Sequence, residues 1–253
     1  MQNITTLHKE DFDIKLSIII PCYNFEKYID IAIISAMSQK ISGDIEIIVG
    51  DDCSSDNSPD IIKRFSNWIN PVIRPENIGG TRNIEHLLSL AKGQYISYLD
   101  GDDYFIDPWK SKIQIDFLDQ NPHISQCCTG FITKTGDSYN QPGGSWLLVP
   151  NELQDRLITT EDFLHNNHSQ WGRVFRNIPG LFKPWMHQFS YLDWCMNYEI
   201  SKWGPIKCLN FPSGVYREHP EGWMTKWANK HETECSNIRQ FLQQDYNNYK
   251  SSK

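Results

Sequence analysis

Three carboxylates fall within four positions at Asp100-Gly101-Asp102-Asp103, directly after the run Tyr95-Ile96-Ser97-Tyr98-Leu99. That run alternates apolar and aromatic residues and reads as a buried strand. So much negative charge at a buried strand's end is costly unless a cation neutralises it. Asp100 and Asp102 can point oxygens at one divalent ion while Gly101 lets the backbone bend around it. Hard oxygen ligands suit Mg2+ or Mn2+, which bridge to substrate phosphates. A solvated turn or a helix cap is the plain alternative for an isolated D-x-D. A second acidic end, Gly50-Asp51-Asp52, follows Ile45-Glu46-Ile47-Ile48-Val49.

Elements must hold these acidic ends together. Leu16-Ser17-Ile18-Ile19-Ile20 predicts a buried strand, ended by Pro21-Cys22-Tyr23-Asn24 because proline lacks a donor. Glu26 to Gln39 carries apolar residues at helical spacing. The strand at 45–49 leads through Cys53-Ser54-Ser55-Asp56-Asn57-Ser58, turn and cap chemistry, into a helix from Pro59 to Trp68. Val72-Ile73-Arg74 is a further short strand, and Asn77 to Asn83 is a Gly-rich loop opening a helix from Ile84 to Ala91. Strand–helix alternation through about residue 105 predicts a doubly wound α/β layout with its acidic strand ends facing one crevice. The glycines form neither G-x-G-x-x-G nor a Walker loop.

Composition narrows the class. At 253 residues and 39% hydrophobic, the chain can bury a large core. A net charge of −7 argues against a general nucleic-acid footprint. The seven cysteines include no C-x-x-C pair, and with a polar start and no signal peptide they read as reduced thiols. No window nears the ~18 apolar residues of a membrane span. The expectation is a soluble, cytoplasmic protein.

Ser17–Asn24, Glu46–Asp56, Asn77-Ile78-Gly79 with Arg82-Asn83, and Leu99–Asp103 together resemble glycosyltransferase family two. The four motifs stand in the family's order and spacing, closely over 16–107 and more loosely to about 220. The resemblance implies the GT-A fold, a Rossmann-like mixed sheet flanked by helices, and a nucleotide-diphospho-sugar donor, most readily UDP-linked. It also implies a divalent cofactor, Mn2+ or Mg2+, and inversion at the anomeric carbon. Pro21, Tyr23, Asn24 and Asp52 match positions on the nucleoside side. Asn77 and Arg82 match positions near base and ribose, across a loop about two residues shorter than the usual form. Asp100 and Gly101 match the donor side of D-x-D, Asp102 its metal-binding carboxylate, and Asp103 a residue that orients its neighbours.

The second half opens with a helix over 108–120 and a strand from Ile124 to Thr133, then a polar, Gly-rich loop from Thr135 to Pro150. Thr159-Thr160-Glu161-Asp162 caps a helix expected from about Phe163. His165, His168, Trp171 and Arg173 form either an acceptor-recognition patch or an ordinary polar helix end. Phe189 to Ile200 resembles the family segment that carries the catalytic base at a helix start. Leu192 stands where Glu is usual, and Asp193-Trp194 keeps the rest. Asp193 is thus the candidate base, a helix-dipole carboxylate being the bland reading. Ile206 to Phe211 is a strand, and Tyr216-Arg217-Glu218-His219 matches the family's closing motif. By that match His219 is a third-ligand or diphosphate candidate and Arg217 a phosphate partner.

Trp223 to Tyr249 reads as a helix with Trp223, Trp227, Ile238, Phe241 and Leu242 on one side. It could cover the core, pair two subunits or rest on a membrane surface, the last least favoured by its mixed charge. The expected organisation is one domain over 1–253: a nucleotide-sugar half at 16–107, an acceptor and catalytic half at 108–222, and a C-terminal helix. The acceptor implied is a hydroxyl of a bacterial surface glycan or its lipid-linked precursor. Two rivals stand beside it. A sugar nucleotidyltransferase would need a basic Gly-rich N-terminal loop, and a catalytically silent nucleotide-sugar-binding module would keep only the pocket.

Overall fold

In this computed structural model the described residues are 12–136, 138–140, 156–168, 171–220, 222 and 231–251. Strand β1 (Ile14–Cys22) lies between β2 (Ile45–Asp51) and β4 (Gly93–Tyr98), parallel to both. Neighbours on both edges and helices on both faces explain its nearly continuous apolar run, with residues 16–20 buried and only Ser17 polar among them. Leu16, Ile18 and Ile20 face one core with Ile29, Ala32, Ile33 and Ala36 of α1 (Ile29–Met37). Ile19 faces the other, with Leu87 of α3 (Gly80–Leu90). Helices α1, α2 (Ser58–Arg64) and α4 (Lys110–Gln120) cover the first face. The second is covered by α3, α5 (Leu192–Ser201) and α6 (His231–Ser251).

The sheet order is β3-β2-β1-β4-β8-β6-β9-β5, with β7 (Ser138–Asn140) paired to β6 (Gln126–Thr135). The first four strands, beginning with β3 (Asn70–Ile73), are parallel. The order reverses between β1 and β4, the switch point where ligands enter open α/β sheets. Beyond β4, β8 (Val174–Arg176) is antiparallel to β4 and to β6. Strand β9 (Ile206–Glu218) runs parallel to β6 and antiparallel to β5 (Tyr104–Phe105).

Three expectations need correction. β1 does not stop at Pro21. Ile19 accepts from Leu99 on the β4 side and Cys22 from Asp52 on the β2 side, so Pro21 turns its missing donor toward the side where β4 has already ended. β9 does not stop at Phe211 either, because Pro212 sits opposite Gly130, where the register shifts and the strand bulges through. The helix expected from Phe163 is a single 3-10 turn, Asp162–Leu164. Asp162 accepts the Thr159 amide at 2.7 Å, so the cap exists without a helix to follow it. β8 leaves no sequence signal, its three buried residues being too few to show a period.

In α6, Ile238 and Leu242 are buried in the core, and Phe241 packs on Trp185 with ring centroids 4.7 Å apart. Trp223, Trp227 and most of the 135–150 loop lie outside the described residues. All seven cysteines are free. Among the described residues no helix is long and apolar enough to cross a membrane.

Candidate active site

The acidic turn after β4 is tight, the Asp103 amide donating to the Asp100 carbonyl at 3.0 Å. Gly101 packs so closely that a Cβ would lie 2.6 Å from the Pro21 carbonyl oxygen, so only glycine lets β1 and this turn meet. The Tyr98 hydroxyl donates to Asp100 Oδ1 at 2.7 Å. Asp103 is buried, taking the Arg217 amide on Oδ1 at 2.8 Å and the Trp171 indole N–H on Oδ2 at 2.9 Å. Gly214 makes room for that indole, since a Cβ there would sit 1.8 Å from the ring.

The long β9 brings the closing motif to this turn. His219 Nε2 lies 2.9 Å from Asp102 Oδ2, and the Arg217 guanidinium donates to the Asp102 carbonyl. Arg217 is held over the rings of Tyr104 and Tyr28, at 4.4 and 5.2 Å, and the Tyr28 ring lies 4.8 Å from that of His219. Asp102 thus has as neighbours two side chains, those of Arg217 and His219, that lie far from it in the chain.

Burial and the Asp102 charge push the Asp100 carboxyl up to about 6, with Asp193 adding to the push and Tyr98 and Arg173 opposing it. Burial and the same two neighbouring carboxylates hold Asp103 well above the ordinary range. A site of this kind favours a cation. Asp102 supplies a hard oxygen of the kind that suits Mn2+ or Mg2+, and the His219 nitrogen is a donor that Mn2+ accepts more readily than Mg2+. Among the described residues no third His, Cys, Asp or Glu completes a ligand group. Such an ion would therefore draw on water and substrate oxygens, as Mg2+ commonly does.

On the nucleoside side Asp52 is buried, and its two oxygens accept the Ile78 and Gly79 amides, each at 2.9 Å. Asn77 Nδ2 donates to the Asp52 carbonyl at 2.9 Å. These two residues fold the Gly-rich loop over the end of β2, so a nucleobase N–H would share oxygens already in use. Asn24, at φ 58°, accepts the Ser55 amide at 2.8 Å and fixes the turn beside the exposed Tyr23. Arg82 is exposed in the first turn of α3.

Asp193 sits in the first turn of α5, half-buried, and accepts Asn167 Nδ2 on Oδ2 at 3.0 Å. Its charge acts on Asp100, so the two carboxylates lie near one another. Leu192, at the position where Glu is usual, is buried in the core. The expected patch of His165, His168, Trp171 and Arg173 does not hold together. His165 is exposed, and His168 lies 5.9 Å from the Phe163 ring. Trp171 turns in to Asp103, while Arg173 is buried over Tyr98. Tyr98, Tyr28 and Asn167 were not singled out from sequence. The aromatic residue two before the D-x-D was the available signal for Tyr98; Tyr28 reads as a helix-face residue until β9 is seen beside it.

A model of the family described as glycosyl transferase family 2 matches residues 17–176. An uncharacterised Mycobacterium tuberculosis protein is 29% identical over 225 residues, covering 85% of this chain and 62% of its own length. The chain thus spans about three fifths of such curated relatives. The crystal structure of Staphylococcus aureus TarS 1-349 with UDP-GlcNAc superposes with a TM-score of 0.64 at 21% identity, covering 84% of this chain and 61% of that one. The mannosyltransferase PcManGT from Pyrobaculum calidifontis, in complex with GDP-Man and Mn2+, gives 0.62 at 15%, covering 92% and 68%. The chain has the GT-A fold of these proteins.

Proposed function

The chain belongs to glycosyl transferase family 2, and we propose that it transfers a sugar, with inversion, from a nucleotide-diphospho-sugar to a hydroxyl of a bacterial surface glycan or its lipid-linked precursor. The observation that carries this reading is the contact of Asp102 with His219 beside Asp100 at the β1–β4 switch, with the Asp193 charge acting on Asp100. UDP is the favoured nucleotide, in keeping with the UDP-GlcNAc complex of the TarS fold neighbour. TarS is a poly(ribitol-phosphate) beta-N-acetylglucosaminyltransferase, 34% identical to this chain over 113 residues, which favours a bacterial glycan as acceptor. A cytoplasmic site of action fits such a donor.

Each residue has a task in this reading. Pro21, Tyr23, Asn24, Asp52, Asn77 and Arg82 frame the nucleoside. Asp100 and Gly101 border the sugar, and Arg217 offers its charge to the diphosphate. Asp102 and His219 would hold Mn2+ or Mg2+, which when bound offsets the charge gathering on the departing diphosphate. Asp193 removes the acceptor hydroxyl's proton as its oxygen attacks the anomeric carbon from the face opposite the leaving group. The Asn167 amide, bonded to Oδ2, leaves Oδ1 of Asp193 for that proton.

Asp193→Asn keeps the shape and removes the base. Donor binding by calorimetry should be unchanged, while turnover falls by roughly 10^2- to 10^4-fold. Near-full turnover in this variant would remove Asp193 from the role.

A further inference from the structure

Arg173 is a buried cation beside this site to which the chemistry above gives no task. It is only 8% exposed, and its guanidinium carbon lies 4.8 Å from the centre of the Tyr98 ring. Among the described residues its side chain makes no hydrogen bond and has no carboxylate within 4 Å. Arg176, three residues on and also buried, shows how a structural arginine is housed in this fold. It donates to the Ile124 carbonyl at 2.9 Å, the Tyr95 hydroxyl at 3.0 Å and the Leu118 carbonyl at 2.7 Å. Arg217 likewise has the Asp102 carbonyl. No Arg173 nitrogen is among the fully buried unpaired polar atoms, so its guanidinium meets solvent at an opening where an acceptor can reach its N–H groups.

The surroundings indicate where that partner enters. Tyr98, which carries Arg173 on its ring face, gives its hydroxyl to Asp100. Arg173 and Asp193 both act on the Asp100 carboxyl, one pulling it down and the other pushing it up. Through Tyr98, Arg173 therefore stands beside Asp100, and Asp193 lies near enough for its charge to be felt there. A neutral hydroxyl would take one N–H and leave the charge uncompensated. A carboxylate or phosphate matches the planar fork with two parallel bonds and balances the charge.

We propose that Arg173 is a specificity-determining residue that binds an anionic group, a carboxylate or phosphate, carried by the sugar or by the acceptor end that enters beside Tyr98 and Asp100. This rests on the glycosyl-transfer reading and deepens it to a substrate class, an acidic sugar donor or a phosphate-bearing acceptor.

The test uses the full chain with Mn2+ and calorimetry. One arm compares UDP-glucuronic acid with UDP-glucose. The other titrates glycerol 3-phosphate, with glycerol as control, into protein loaded with UDP. In one of the arms the charged probe should bind roughly tenfold tighter than its neutral counterpart. Arg173→Gln should bring that ratio to about one, and Arg173→Lys, which keeps the charge but not the fork, should restore part of it. Should Arg173→Gln fail to fold, a reduced ratio in Arg173→Lys supports the proposal and an unchanged ratio there overturns it. No preference in either arm, or a preference that survives in Arg173→Gln, overturns the proposal while the donor reading stands. Failure of the wild-type chain to bind UDP at all would instead overturn the donor reading, and this proposal with it.

Discussion

Asp103 shows how one residue's surroundings set the shape of the site. It is 1% exposed, and its two oxygens are taken by the Trp171 indole and the Arg217 amide. Trp171→Phe keeps most of the ring packing against Phe105 and Gly214 and removes only the N–H. A buried carboxylate oxygen then loses its donor, which should cost about 1–3 kcal/mol in urea unfolding. If Trp171 acts through Asp103 on the metal-binding turn, Mn2+-dependent UDP affinity should also fall. A purely packing role would leave that affinity unchanged. The residues visible from sequence at this scale were those whose type is itself unusual in place: three carboxylates ending a strand, or a glycine between them. Tyr98 and Tyr28 were not, because an aromatic residue on a strand or helix face reads as core until the strand beside it is known. Asn167 was hidden for a related reason, since its partner Asp193 lies 26 positions away.

At the scale of elements, the strand–helix alternation to β4 is legible because β1, β2 and β4 are largely buried apolar runs and the helices between them carry apolar residues at helical spacing. β8 and the outer half of β9 are not. Val174 to Arg176 is held by pairing on both edges rather than by any pattern of its own, and Pro212 reads as a strand end although the bulge at Gly130 carries it. Lys110, the first residue of α4, is buried beneath β5 with its Nζ 3.1 Å from Ser97 Oγ and 4.2 Å from the centre of the Phe105 ring. Burial lowers its pKa from 10.5 to about 7. Below about pH 7 the folded chain carries a buried ammonium that the unfolded chain keeps in water. Between about pH 7 and 10.5 the unfolded chain holds a proton that the folded chain does not, so this group makes stability rise with pH. Lys110→Met should flatten that rise and stabilise the protein at pH 7 by on the order of 2 kcal/mol. Unfolding free energies of the two proteins from about pH 7 to 10 check it, and parallel curves would deny Lys110 the role.

For the molecule as a whole, the two halves of the chain meet on one edge of one sheet. The parallel strands present Asp52 and Asp100–Asp103, while β9 and α5 carry Arg217, His219 and Asp193 back to them. The sequence motifs named both sets, but their meeting depends on β9 running through to residue 218 beside β5 and β6. A site that gathers the charges of Asp100, Asp102 and Asp193, in a chain of net charge −7, should bind a polyanionic donor poorly without a divalent cation. On the proposed reading it is a metal-assisted nucleotide-diphosphate site built on Asp102 and His219.

The measurement that reaches such a site most directly is thermal unfolding of the wild-type chain and Asp102→Ala with UDP, GDP, CMP and dTDP, each with and without Mn2+. A ligand bound only by the native state raises the melting temperature by mass action, so no acceptor is needed. The expected result is a rise with UDP that grows with Mn2+ in the wild type, and loss of the Mn2+ increment in Asp102→Ala. No metal-dependent rise with any of the four nucleotides, or an increment that persists in Asp102→Ala, would contradict a metal-assisted donor site at Asp102 and His219.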